Sequence, residues 1–378
     1  MNIIFIFLGL ITALYWLLVS TQGIRYMKNL PFFDVNDSTN NGAVYPSLSV
    51  VIPACNEEES IKQAVTQLLN QDYPNLEVIV VNDRSTDSTG EILANLKIQY
   101  FQLKVITIHE LPPKWLGKNH AIHQGVKEST GEWLLFTDAD VMFSPGSLKK
   151  TVSCALERKL DHLTIAPDIC YGSVLYRAFV TYLGFGIIST VMVSKKVGMG
   201  AFNLVKKSVY DEIGGYEAVA MKVVDDMSFG ALVVDKGYKQ SWGLSGKGFI
   251  IVKWYDSLSV MFKGIEKNQF GYFKYDILGT LGVCLYLLLT SVYPFVGLFF
   301  GPLWARALCG VSVLCLFAID NYLAKRIDIS SSYVVFHPLL TLFYVTAILN
   351  SMVKTLLRGG VEWRGTVYSL EELRKNIF

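Results

Sequence analysis

The chain has 378 residues, of which 52% are hydrophobic and 17% charged, with a mean hydropathy of +0.36. That is too apolar for an ordinary soluble protein, and the length allows one large domain or two smaller ones. A net charge of +2 without a basic block gives no reason to expect a nucleic-acid partner, and six scattered cysteines without a C-x-x-C pair disfavour a disulfide framework or a zinc site.

Residues 1–24 carry no charged side chain. The run is longer and more uniformly apolar than a signal-peptide core, and no clear small-residue cleavage site follows it. It predicts a retained N-terminal transmembrane anchor. Arg25 and Lys28 follow it and assign the next segment to the cytoplasmic side. Residues 34–46 read as a polar linker.

An α/β domain is predicted over 47–250. Leu48-Ser-Val-Val-Ile-Pro53 reads as a buried strand, followed by a helical pattern from Glu57 to Asn70. Glu77–Asp83 is a second strand, and Ser85-Thr-Asp87-Ser caps another helix. Lys104–His109 is a third strand. A helix from Lys118 to Glu128 leads to the fourth, Trp133–Thr137. Strands alternating with helices predict a mostly parallel, Rossmann-like sheet. Ligands bind such sheets at the carboxyl ends of the strands, where Pro53, Glu57, Asp83, Asp138 and Asp140 fall.

Asp138-Ala-Asp140 ends an apolar run in two carboxylates that share one face of an extended chain. Mutual repulsion and desolvation make such a pair costly, and a divalent cation relieves both. Hard oxygen ligands in small number suit Mg²⁺ or Mn²⁺, with substrate phosphates completing the shell. A solvated turn capping the helix that starts near Ser144-Pro145 is the plainer alternative.

Beyond Pro145 the pattern blurs. Residues 171–194 are apolar and aromatic around a single interior charge, Arg177, and fit a core helix or, by composition, a helix lying on the membrane. Leu204–Asp211 and Gly214-Gly215-Tyr216 resume strand, helix and turn, and Val223-Val-Asp225-Asp226 begins a helix ending near Lys236. Residues 253–274 interleave aromatic residues with lysines, the composition of interfacial amphipathic helices. Residues 275–353 predict membrane helices near 278–300, 303–322 and 333–353, and 354–378 a cytoplasmic tail. One anchor plus three spans would leave the tail outside, whereas Lys354, Arg358 and Arg364 argue for inside. A re-entrant segment bent at Pro294, Pro302 or Pro338 would reconcile the two.

The set Ser49-Val-Val-Ile-Pro53-Ala-Cys-Asn-Glu57, Val81-Asn-Asp83-Arg-Ser-Thr-Asp87, Asp138-Ala-Asp140, Gly214-Gly215 and Asp225-Asp226 resembles, in kind and order, the family 2 glycosyltransferases of GT-A fold. Trp115-Leu-Gly117-Lys118-Asn-His-Ala-Ile-His-Gln-Gly125 and the tail Gly360–Tyr368 are similar to the membrane-bound subgroup that glycosylates hopanoids and carotenoids (diaponeurosporenoate). The resemblance implies nucleotide contacts from Pro53, Glu57, Asp83, Lys118 and Asp138, with Asp83 accepting the imide N–H of uracil. Glu57 also fits a helix cap, and Lys118 also fits a solvated lysine. It further implies Asp140, with Asp138, as ligands of Mg²⁺ or Mn²⁺, and Asp226 as the base of an inverting transfer, with Asp225 structural. The Gln-x-x-Arg-Trp motif of the processive members is missing, which argues for adding one sugar; Trp363 with Arg364 is a candidate for part of the acceptor site. His120 and His123, three apart with no third ligand, read as packing residues.

The expected function is therefore transfer of a sugar from a UDP-sugar to a polyisoprenoid-like membrane lipid, by a multi-pass cell-membrane protein with a cytoplasmic catalytic domain. Transfer to polyprenyl phosphate or a glycerolipid, and a non-catalytic nucleotide-sugar-binding scaffold, are the alternatives. The few ionisable residues in the spans argue against a transporter.

Overall fold

The structure, a computed structural model, describes residues 2–37, 44–169, 172–363 and 366–375. The described residues form two compact units. One is Leu30–Ile169 with Lys195–Lys253; the other gathers Met1–Asn29, Cys170–Ser194 and Trp254–Phe378. The α/β unit thus starts earlier than the 47–250 expectation and is interrupted where the chain leaves for the apolar segment 170–194.

The chain opens with α1 (Asn2–Asn29) of the apolar unit. The α/β unit then runs through β1 (Phe32–Phe33), β2 (Leu48–Ala54), α2 (Ile61–Leu69), β3 (Leu76–Asp83), α3 (Thr89–Gln99) and β4 (Leu103–Ile108). It continues with α4 (Gly117–Lys127), β5 (Trp133–Phe136), β6 (Val141–Phe143), α5 (Ser147–Glu157) and β7 (His162–Ala166). After α6 (Val174–Ser194) of the apolar unit come β8 (Asn203–Lys206), α7 (Lys207–Glu212), α8 (Asp225–Asp235), β9 (Gln240–Ser245) and β10 (Ile250–Val252).

Eight strands form one sheet in the order β1-β9-β7-β8-β5-β2-β3-β4, parallel except for β8, which runs antiparallel to β5 and β7. β2 and β3 are buried over continuous runs rather than on alternate residues, because both faces of the sheet are covered. Val50, Ile52, Val78 and Val80 point to the side of α2, α3 and α5; Val51, Ile79 and Val81 point to the side of α4 and α8. The α2 stripe Ile61, Ala64, Val65, Leu68 explains why that segment is helical and which face it buries. β6 and β10 make a separate antiparallel pair beside the sheet.

The apolar unit continues after Lys253 with α9 (Leu258–Tyr272), α10 (Ile277–Leu287), a π turn at Leu288–Val292, α11 (Tyr293–Gly297) and α12 (Leu303–Arg326). A 3₁₀ turn at Ser331–Phe336 leads into α13 (His337–Arg358), the hairpin strands β11 (Gly360–Trp363) and β12 (Thr366–Ser369), and α14 (Leu370–Lys375). Among the described residues, five helical stretches are long and apolar enough to cross a membrane: Ile3–Asn29, Val174–Ser194, Ile277–Gly297, Leu303–Arg326 and Ser332–Arg358. Ile4, Phe7, Leu14, Leu285, Leu314 and Leu342 are exposed along them, as lipid-facing residues must be and as a water-soluble helix avoids. The 253–274 segment, expected to be interfacial helices, is the single helix α9.

α1 and α12 run side by side in the same direction. Gly9 abuts Ala305 and Leu308, Thr12 meets Ser312 at 3.3 Å, and Gly23 abuts Ile319. Trp16 is buried at mid-length, its Nε1 donating to the Thr290 carbonyl at 2.7 Å and its ring stacked on Phe185 and edge-on to His337. At the other end of α13, Glu266 of α9 accepts from Asn350 (3.0 Å), Lys354 (2.6 Å) and Arg358 (3.1 Å). The tail folds back onto this end: Leu370 N–H donates to Gly359 at 2.8 Å and Arg374 to the Tyr275 carbonyl at 3.0 Å.

Candidate active site

The loops after β2 and β3 are clasped together. Thr86 N–H donates to Asn56 Oδ1 (2.8 Å), Glu58 N–H to Asp87 Oδ2 (3.1 Å) and Ser88 N–H to Glu58 Oε2 (3.0 Å). Glu57 N–H donates to Thr89 Oγ1 (2.8 Å). This clasp delays the helix expected from Glu57 to Ile61. Asp87 caps α3 as expected, accepting from Thr89 N–H at 3.0 Å. Pro53, at the end of β2, and Glu57 lie on the same rim, both half-buried.

Asp83 ends β3 and is 4% exposed. Both its carboxylate oxygens are taken by Arg84, from Nε at 2.8 Å and Nη2 at 3.0 Å. Arg84 holds φ +58, a left-handed conformation unusual for a non-glycine residue. Asp83 therefore meets a ligand with its negative charge already partnered and a fixed guanidinium beside it. Nothing in the spacing of the chain announced Arg84.

α4 supplies the next group. Leu116 N–H donates to Ala220 at 2.9 Å, and Asn119 Nδ2 donates to the carbonyls of Val219, Ala220 and Lys222 at 2.8–3.1 Å. These bonds tie the start of α4 to the loop that precedes α8. Lys118, in the first turn of α4, consequently reaches Asp138 Oδ1 at 2.7 Å and Asp225 Oδ2 at 3.6 Å. Burial opposes the Lys118 charge, but Asp138, Asp225 and Asp226 outweigh it and raise the ammonium pKa. Lys118 is thus ion-paired to carboxylates rather than a solvated lysine.

Asp226 sits in the first turn of α8, one oxygen accepting from Gly200 N–H at 2.8 Å and the other from Met227 N–H at 2.7 Å. Gly200 is required to be small here: a Cβ would lie 2.7 Å from Asp138 Oδ2 and 3.3 Å from Lys118 Nζ. Asp225 is buried and receives the Tyr216 hydroxyl at 3.4 Å. Burial raises the pKa of Asp226, Asp225 raises it further, and Lys118 opposes both. Asp225 is likewise raised by burial, with Lys118 opposing. Asp138, Lys118, Asp225, Asp226 and Gly200 thus converge from four segments far apart in the chain. Asn119, Gly200 and Tyr216 are the parts of this cluster that residue spacing did not single out.

Asp140 lies two residues beyond Asp138, in the turn between β5 and β6 rather than on an extended strand. Burial raises its pKa to about 6, helped by the charges of Asp138 and Glu57. Crowded hard-oxygen donors of this kind fit a divalent cation. Among the described residues no set of three His, Cys, Asp or Glu side chains converges, so the phosphates of a ligand would have to complete the shell. Lys118 already occupies Asp138, which leaves Asp140 as the freer carboxylate. His120 and His123 do not join the site: both pack on Trp115, with ring centroids at 5.4 and 4.9 Å. The side chain of Trp363, and Arg364, lie outside the described residues.

Residues 49–214 match the family model described as Glycosyl transferase family 2. Curated proteins from Staphylococcus aureus strains RF122 and USA300, both named 4,4'-diaponeurosporenoate glycosyltransferase, are 25% identical to the chain over 349 residues, covering 87% of it and 90% of each relative. A solved mannosyltransferase from Pyrobaculum calidifontis, in complex with GDP-Man and Mn²⁺, aligns over 94% of this chain and 99% of its own with a TM-score of 0.58 at 18% identity, which is a likeness of fold.

Proposed function

We propose that this chain, a glycosyltransferase with a family 2 domain of GT-A fold, moves one sugar from a UDP-sugar to a hydroxyl or carboxyl group of a polyisoprenoid-like membrane lipid. The observation that carries the proposal is the meeting of Lys118, Asp138 and the raised-pKa carboxylate of Asp226, in a chain whose described residues include five long apolar helices. Pro53, Glu57 and Asp83 hold the nucleoside, and Lys118 and Asp138 flank the diphosphate. Asp140 with Asp138 would hold Mg²⁺ or Mn²⁺, which stabilises the charge of a departing diphosphate. Asp226 takes the proton of an alcohol acceptor as its oxygen bonds to the anomeric carbon opposite the leaving group, so the configuration inverts. The raised pKa of Asp226 matches it to that task.

Donor class is tested by competition against a fluorescent UDP-sugar. UDP should displace it at least tenfold better than GDP; an equal or better effect of GDP would remove uracil recognition from the account.

For the membrane part we propose three crossings. β7 and β8 are neighbours in one sheet, so α6, which connects them, starts and ends on the same side of the bilayer. α1 and α12, being parallel, cross in one direction, and α10 with α11 crosses in the other. α13 starts with His337 at the level of Trp16 and ends at Glu266, so it returns to the side it came from, with Pro338 in its first turn. The catalytic unit and the tail then share the cytoplasmic face, in agreement with Lys354 and Arg358. In a cysteine-free background, Phe300→Cys should react with an impermeant maleimide on intact cells, and Lys375→Cys only after permeabilisation. Labelling of Lys375→Cys on intact cells would refute the arrangement.

A further inference from the structure

A cleft of about 290 Å³ lies between α9, the end of α13 and strand β11 of the folded-back tail. It belongs wholly to the apolar unit and takes no part in the sugar-transfer chemistry above. Lys263 and Lys267 line it from one face of α9, being one helical turn apart. Arg358 lines it from α13, held in place by Glu266 at 3.1 Å. The Glu266 carboxylate also takes Lys354 and Asn350, so its charge is spent on fixing the wall; the exposed Glu362 of β11 lines the cleft as well, and the three lining cations, Lys263, Lys267 and Arg358, outnumber the two lining acids by one. The Tyr255 ring packs against α9 at Gly264, where there is no room for a Cβ, and Tyr255 and Thr355 border the same space.

The same two helices expose apolar side chains. Val260 on α9 and Leu356 and Leu357 on α13 face outwards. Lysine and arginine at the rim of apolar helices hold anionic headgroups while the attached chains stay in the lipid. The space is just below the usual size of small-ligand sites, which suits a single headgroup rather than a whole lipid.

We propose that this cleft binds the carboxylate or phosphate headgroup of a single-chain membrane amphiphile, with Lys263, Lys267 and Arg358 as its donors. Charge-assisted bonds to a carboxylate or phosphate are the strong ones, so the two lysines should dominate the affinity. The proposal does not depend on the transfer reaction, and a binding measurement keeps the two apart.

The test titrates the full-length protein, in phosphatidylcholine nanodiscs, with laurate, dodecyl phosphate, dodecanol and inorganic phosphate by calorimetry. Laurate or dodecyl phosphate should saturate one site, and the double variant Lys263→Gln/Lys267→Gln should weaken it at least tenfold while UDP affinity stays unchanged. Inorganic phosphate binding at least tenfold more weakly identifies a lipid headgroup as the ligand; equal binding supports the anion site and assigns it to a soluble anion. Dodecanol binding as tightly as laurate, or no change in the double variant, overturns the proposal. If the double variant loses UDP binding as well, each single variant carries the same comparison.

Discussion

Asp226→Asn is expected to lower transfer by roughly 10²- to 10⁴-fold, the usual contribution of a positioned general base, while donor affinity stays within about threefold. Asparagine matches the shape of aspartate but offers one acceptor oxygen where Asp226 uses two, one for Gly200 N–H and one for Met227 N–H. One of these bonds is lost, at a stability cost on the order of 1 kcal/mol, which a melting curve reads separately from activity. The pH profile gives a second check. Because burial and Asp225 raise the Asp226 pKa, the base is unprotonated only above the ordinary carboxylate range. The acid limb of kcat/KM should therefore lie above that range in the wild type and vanish in the variant. Transfer near wild-type rates in Asp226→Asn would assign the base elsewhere.

Asp140 should govern the metal. Asp140→Ala is expected to weaken Mn²⁺-dependent donor binding at least about a hundredfold, measured as UDP affinity with and without Mn²⁺. Unchanged Mn²⁺ dependence would take Asp140 out of the ligand set. A stability test accompanies it. The folded pKa of Asp140 is raised to about 6, so the folded state binds the proton more tightly than the unfolded chain does. Its effect on stability is then favourable at low pH and is lost as pH rises through about 6. Asp140→Asn removes that loss. Without metal the variant should melt several degrees above the wild type at pH 8, by about half as much at pH 5, and close to it only below about pH 4; equal melting at pH 8 would contradict the crowding of Asp140 by Asp138 and Glu57.

The first four long strands and their helices are readable in the chain because parallel strands covered on both faces form unbroken apolar runs, and their acids stand where those runs stop. Asp83 and Asp138 stand out for that reason; Asp226, in the first turn of α8, follows no such strand and is singled out only by the family resemblance. The rest of the sheet is not legible. β7 is five residues long and β1 is two residues placed just after α1, too short to carry a period, as are β6 and β10, three residues each, which pair outside the sheet. α6 inserts a mostly apolar helix of 21 residues between β7 and β8, two neighbours in the sheet, and hides their pairing. Gly200 and Asn119 act through backbone approach and backbone hydrogen bonds, which leave no pattern in residue type. Arg84 follows Asp83 directly, yet its fork onto that carboxylate depends on a left-handed φ that only the fold reveals.

The central claim is that one sugar passes from a UDP-sugar to a membrane lipid with Asp226 as base. The purified protein is therefore incubated with Mn²⁺ or Mg²⁺, a panel of UDP-sugars and a bacterial lipid extract, and the lipid fraction is weighed by mass spectrometry beside an Asp226→Asn control. The account predicts a new lipid heavier by a single sugar residue, made by the wild type and missing from the control. A ladder of successive additions, or the same product from the control, would contradict it.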